Sequence, residues 1–148
     1  MTALNPQILG VISLLNLDLK DAKMNKNMMN WISKIAPKVA LQILIRNTQM
    51  TNKQFFQLFN MFAHVYAFQF HHVNIKKSKH FGLFNKQSNL RYEIKEFIFR
   101  SSNIHPKWID GFIKYVSKNS SLSSNLNHLA LNKRKIDKNE LSELINVP

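Results

Sequence analysis

Residues 51–70 read TNKQFFQLFNMFAHVYAFQF, and this stretch decides the predicted fold. Thr51 and Gln54 have the spacing of a capping box, in which two side chains satisfy free N–H groups at the start of a helix. On a helical wheel the polar side chains fall in one narrow stripe, formed by Lys53, Gln57, Asn60, His64 and His71. A helix with this pattern is buried over most of its circumference. We therefore predict the central helix of the fold here, because about 16 residues with polar members are too few for a membrane span.

Apolar residues at helical spacing continue on both sides of this stretch. They predict one helix that begins at Asn5-Pro6, another over residues 22–35, and further helices that begin at Asn89, Pro106 and Asp137. Residues 38–46 alternate as a strand does, but Pro37 at a first helical position favours a helix there. No internal repeat is evident. The sequence thus predicts an all-α, single-domain helical bundle of about six helices.

The predicted organisation is a helical core domain over residues 1–116 and an extension over residues 117–148. Residues 117–127 are rich in Ser and Asn, which is typical of a linker or irregular loop. A basic cluster and a short C-terminal helix follow. Residues 73–89 have no sustained periodicity and are predicted to form a basic irregular loop.

The positive charge of the chain is concentrated in one span. The 148 residues carry a formal net charge of +13, and residues 22–92 contain eleven bases and no acid. Ordinary solvated surfaces mix both signs, so this span favours an anionic partner, above all nucleic acid. Lys outnumbers Arg 17 to 4, which indicates an AT-rich genome and says nothing about the ligand.

Signatures of catalysis and of cofactor binding are missing from the sequence. The chain has no Cys and three Gly, which excludes thiol chemistry, zinc fingers and glycine-rich phosphate loops. His64, His71, His72 and His80 lie close in sequence, but no acid or thiol accompanies them. A metal site needs such ligands, so we interpret these histidines as polar or phosphate-contacting groups. We expect no enzyme activity, no catalytic residues, no metal and no cofactor.

The candidate nucleic-acid contacts are basic residues interleaved with aromatic ones. Bases neutralise phosphates, and exposed rings stack on unpaired nucleotide bases. The predicted nucleic-acid-binding residues are Lys76, Lys77, Lys79, His80, Lys86, Arg91, Lys133, Arg134 and Lys135, and the predicted stacking residues are Phe81, Phe84 and Tyr92. The alternative for the two phenylalanines is that their rings turn inward as core anchors.

Three functions follow from these observations. The first is a non-enzymatic, RNA-binding structural subunit of a ribonucleoprotein, such as a ribosomal protein of a mitochondrion or another organelle, with neighbouring protein subunits as partners. The second is an accessory or adaptor subunit whose bases face acidic protein or anionic lipid. The third is a phage or plasmid DNA-binding regulator, since residues 129–145 have a helix–turn–helix-like spacing. No base precedes Lys20, so we expect no secretory signal, and an organelle matrix or cytoplasmic location.

The RNA-binding hypothesis predicts a salt effect for the loop lysines. Replacing Lys76, Lys77 and Lys79 with alanine should flatten the slope of log affinity against log salt by up to about 2 for single strands and about 2.7 for duplex. The measurement is a binding titration at several salt concentrations. An unchanged slope would exclude the loop as the contact.

Overall fold

One six-stranded sheet organises the chain. The computed structural model describes residues 14–76, 91–132, 134–136 and 139–140. Its strands are β1 (Leu14–Lys20), β2 (Val39–Met50), β3 (Ala67–Ile75), β4 (Glu96–Arg100), β5 (His128–Leu131) and β6 (Arg134–Ile136). They lie side by side in the order in which they occur along the chain. Strands β1 to β5 are parallel, and β6 pairs with β5 in the antiparallel direction.

Four α-helices are present in the described part of the chain. Helix α1 (Lys26–Ile35) leads through the short 3-10 helix Ala36–Lys38 into β2, α2 (Asn52–Met61) lies between β2 and β3, and α3 (Pro106–Lys118) and α4 (Ser120–Asn125) lie between β4 and β5. The capping box predicted from Thr51 and Gln54 starts α2, and Pro106 starts α3, so both predicted helix starts are confirmed. None of the helices in the described ranges is long and apolar enough to cross a membrane.

The prediction of an all-α bundle of about six helices is wrong, because the chain forms a parallel α/β sheet. Residues 39–46 belong to β2, residues 67–70 to β3 rather than to a long central helix, and residues 96–98 to β4. Strands β5 and β6 occupy the segment that had helix–turn–helix spacing. A short apolar run fits a helix or a buried strand equally well, and the β-branched and aromatic residues here settle it as strand.

Other predicted elements have different outcomes. The linker predicted over residues 117–127 contains helix α4, whose cap Asn119 accepts from the Leu122 N–H at 3.1 Å. The second predicted helix begins at Lys26 rather than at residue 22. The helix expected at Asn5-Pro6, most of the basic loop and most of the last helix lie outside the described residues. Strands β5 and β6 add the segment after residue 127 to the same sheet.

The core lies on one face of this sheet. Along β2, Ile43 and Ile45 are fully buried, whereas Leu44 and Arg46 between them are only partly buried. The buried side chains of all the strands share one core cluster with those of α1, α2, α3 and α4. Successive connections that step the same way across a parallel sheet place their helices on the same face. The opposite face, which we call the open face, has no described helix on it.

Each parallel strand belongs to a repeated unit of eight residues. The units are LDLKDAKM (17–24), ILIRNTQM (43–50), FQFHHVNI (68–75), FIFRSSNI (97–104) and LALNKRKI (129–136). The first, third and eighth residues of every unit are apolar and at most 9% exposed. The absence of a repeat inferred from the sequence is therefore wrong. The units begin 25 to 32 residues apart and share no invariant residue, which conceals them in the sequence.

A left-handed residue turns the chain at the same place in four units. Asp21, Asn47, His72 and Ser101 are each the fifth residue of their unit, with φ between 49° and 56°. Non-glycine residues pay about 1–2 kcal/mol for this conformation, and Asn and Asp tolerate it best. Hydrogen bonds hold the turns together: the Asn47 amide donates to the Asp21 carboxylate. The turns lie side by side because the strands are in register.

Stacked aromatic rings fill the space between helices and sheet. The Phe55 ring of α2 lies 4.9 Å from Trp108 of α3, 5.8 Å from Phe112 of α3, and 5.6 Å from Phe70 of β3. Phe70 in turn stacks on Phe99 of β4 at 4.6 Å. The buried Asn52 side chain accepts a hydrogen bond from the Trp108 indole at 2.7 Å. Phe55 thus joins two helices and the central strands.

Truncation of Phe55 tests this packing. Phe55→Ala should lower the free energy of unfolding by about 3–5 kcal/mol, because it removes a fully buried ring and leaves a cavity. Lys53→Ala on the exposed side of the same helix should change it by less than about 0.5 kcal/mol. Urea unfolding with an unchanged m-value measures both. Equal effects of the two substitutions would contradict the central position of Phe55.

Candidate binding surface

The side chains of the open face line up in rows across the strands. The strands pair in register, so alternate residues of neighbouring strands lie opposite one another. The first row is Asn16, Gln42, Ala67, Glu96 and His128; the middle row is Asp18, Leu44, Gln69, Ile98 and Ala130. The third row lies at the carboxyl ends of the strands.

The third row consists of basic side chains, and we call it the cationic row. Its members are Lys20, Arg46, His71 and Arg100, which pair in this order across β1 to β4. Neighbouring strands are about 4.8 Å apart, so the row is about 14 Å long. Lys20 and Arg100 are exposed, and Arg46 and His71 are partly buried. Four basic residues thus share one edge of the open face.

One carboxylate interacts with this row. Asp18 accepts from Arg46 through both oxygens, with Nε–Oδ1 at 3.1 Å and Nη2–Oδ2 at 2.7 Å. The two side chains are 39% and 46% exposed, so the ion pair adds little to stability. Its bidentate geometry holds the guanidinium of Arg46 in a fixed plane. In the described part of the chain no carboxylate lies within ion-pair distance of Lys20 or Arg100.

His71 lies between the two arginines of the row. Its Nε2 atom is buried and has no hydrogen-bond partner among the described residues. Burial of the ring lowers the pKa of His71 below its ordinary value, and the charges of Arg100, Arg46 and His72 lower it further, while Asp18 acts in the opposite direction. The imidazole is therefore neutral at pH 7. A neutral ring keeps the repulsion within the row small.

Apolar groups accompany the charged ones on this side of the molecule. Leu44 of the middle row is partly buried, and Ile98 and Ala130 are each 6% exposed although they are outside the core cluster. Leu15, Leu41 and Tyr66 at the amino ends of β1 to β3 are the exposed large hydrophobic residues of the described ranges. The open face therefore has apolar contacts beside its charges.

The structure places only part of the predicted nucleic-acid contacts. Lys76 is exposed directly after β3, where its N–H donates to the Met50 carbonyl at 2.9 Å, and Arg91 is exposed. Arg134 and Lys135 lie on β6, of which only the backbone is described. The predicted residues outside the described ranges are Lys77, Lys79, His80, Phe81, Phe84, Lys86 and Lys133.

Tyr92 is a core residue. Its ring is fully buried and stacks on Phe59 with centroids 4.8 Å apart. Its hydroxyl shares a 2.9 Å hydrogen bond with that of Tyr115 and also bonds to Asn60. The Tyr92 ring therefore presents no face to a nucleotide base, contrary to its predicted stacking role.

The histidines are separated by the fold rather than gathered along one helix. His64 is exposed and its Nε2 lies 2.9 Å from the Val39 carbonyl oxygen, while His71 and His72 are consecutive residues of β3. Within the described ranges no group of three His, Cys, Asp or Glu could hold a metal ion. The absence of enzyme activity and of cofactors stays a prediction.

The cationic row was missed by sequence reasoning although a signal exists. Its four members are all the fourth residue of their unit, so an alignment of the units shows Lys, Arg, His and Arg in one column. Finding that column requires recognising the repeat first. Comparison with protein-family models, curated proteins and solved structures finds no match to this chain.

The protonation of His71 provides a test of the row. In an NMR titration, its midpoint should lie below that of an ordinary histidine, Arg100→Gln should raise it, and Asp18→Asn should lower it. Because the unfolded chain binds this proton more readily, His71 contributes stability above the unfolded pKa that is lost as pH falls toward the folded pKa. An Arg100→Gln midpoint equal to that of the wild type would contradict the predicted coupling.

Proposed function

We propose that the chain is a non-enzymatic binding module, an accessory or adaptor protein that holds a partner protein on its open face. The observation on which this depends is the one-sided core: four helices cover one face of the sheet, and aligned rows of side chains occupy the other. A surface of this kind grows with every repeated unit and is extended rather than pocket-like.

The repeated unit supports the same reading. Its apolar spacing is similar to that of leucine-rich repeats, in which each repeat adds one strand and one helical segment to a solenoid. Such architectures bind partners along the extended surface that their stacked strands create. The similarity concerns spacing alone, and the chemistry of the surface has to come from this chain's own residues.

That chemistry suits a protein partner. The open face combines cations, two carboxylates (Asp18 and Glu96), amides and apolar side chains. Protein interfaces have this mixture of apolar contacts with a polar and charged surround. Phosphate-binding surfaces are more uniformly basic.

RNA binding by a ribonucleoprotein subunit is the second candidate, and a separate observation favours it. Residues 22–92 contain no acid, and their exposed bases include Lys26 and Lys34 on α1 and Lys53 on α2, on the helical side. A polyanion there would offset the repulsion among these charges. The DNA-regulator hypothesis depended on a helix–turn–helix that β5 and β6 replace, so it is not proposed.

Extraction from native cells separates the two candidates. The affinity-tagged chain should retain a stoichiometric protein partner after nuclease treatment. The double variant Leu44→Lys, Gln69→Lys should lose this partner because it places bulky charges in the middle of the open face. The measurement is native mass spectrometry of the purified complexes, after circular dichroism has shown that each variant is folded.

The matched control reverses the charge of the helical side. Lys53→Glu, Lys114→Glu changes two exposed residues there and should keep the protein partner. Loss of nuclease-sensitive material in this control, with no protein partner in the wild type, would favour RNA binding and contradict the adaptor function.

A further inference from the structure

The cationic row and the middle row together form a strip that is about as wide as one helix. The two rows are two residues apart along each strand, which is about 6.6 Å, whereas an α-helix with its side chains is about 10–12 Å across. A helix lying across the strands therefore touches both rows at once. One row offers Lys20 and Arg100, and the other offers Leu44 and Ile98.

The spacing along the row agrees with the spacing of side chains on a helix. Members of the row are about 4.8 Å apart, set by the distance between strands. Residues three or four apart on one face of an α-helix are separated by about 4.5–6 Å along its axis. Acidic residues at positions i, i+3, i+7 and i+10 of a helix thus follow the row over its full length of about 14 Å.

We propose that the cationic row binds the carboxylates of an acidic, amphipathic α-helix of a partner protein, whose apolar side lies on the middle row. The inference rests on the proposed adaptor function and names the chemistry of its partner. Arg46 is held in place by Asp18. Lys20 and Arg100 have no carboxylate within ion-pair distance in the described ranges, so they are available to the partner.

His71 makes this binding dependent on pH. The groups around its ring are Arg46 on β2, Arg100 on β4, the adjacent His72, and Asp18 on β1. A bound carboxylate adds a negative charge beside the unpartnered Nε2 atom and raises the pKa of His71, so the complex takes up a proton. Binding therefore strengthens as pH falls, while the glutamates of the partner remain largely ionised above pH 5.

The experiment uses the full chain and two alanine-based helical peptides with apolar residues on one side. One peptide has Glu at i, i+3, i+7 and i+10, and the other has Gln at these positions. The Glu peptide should bind and the Gln peptide should bind at least tenfold more weakly. Lys20→Gln and Arg100→Gln should each weaken the Glu peptide roughly two- to fivefold.

The controls match the charge change and the residue type. Lys114→Gln removes an exposed positive charge on the helical side and should leave affinity unchanged. Between pH 7.5 and 5.5 the wild type should gain up to about tenfold in affinity for the Glu peptide, one pKa unit of coupling, whereas His71→Gln should lose most of this gain. His72→Gln, at the neighbouring exposed residue, should keep it.

Two results would overturn the proposal. One is equal affinity of the wild type and the row variants for the Glu peptide. The other is binding of a single-stranded oligoribonucleotide that the row variants lose, without binding of the peptide. If the row variants still retain the native protein partner after nuclease treatment, the acidic-helix assignment fails and the adaptor function stands. If the wild type retains no protein partner at all, the adaptor function itself fails.

Discussion

Burial of one side of every strand is the constraint on which the rest of the structure depends. Phe55 and its aromatic neighbours bind α2 and α3 to the central strands, so the helices gather on that side. Because rings of this size bury large apolar areas, they supply most of the packing in a chain with only three glycines. The other side of the sheet is released from packing and can present polar side chains.

The sequence allowed the helix starts to be predicted but not the sheet. The start of α2 depends on two side chains within one turn, which are visible in any sequence, and the same holds for Pro106. The strands depend on pairing between segments 25 to 32 residues apart, and their apolar runs of three or four residues fit either period. Ile43 and Ile45 alternate as strand residues, yet Pro37 outweighed them.

The candidate surface was harder to predict than the fold. The acid-free span correctly drew attention to charge, but charge in one dimension does not show which bases lie together. Lys20, Arg46 and Arg100 are up to 80 residues apart in sequence, and only parallel pairing brings them into one row. Tyr92 shows the converse error, because an aromatic residue beside a base in sequence is a core residue in space.

The left-handed turns at the fifth residue of four units have a consequence for how this molecule can change. They keep the strand segment at constant length, so differences in unit size are absorbed by the helical connections on the far side. Insertions there leave the alignment of the rows untouched. Substitutions at the second and fourth residues of a unit alter the surface without entering the core. Specificity and stability are therefore under separate mutational control, and a new partner is accessible through point substitutions alone.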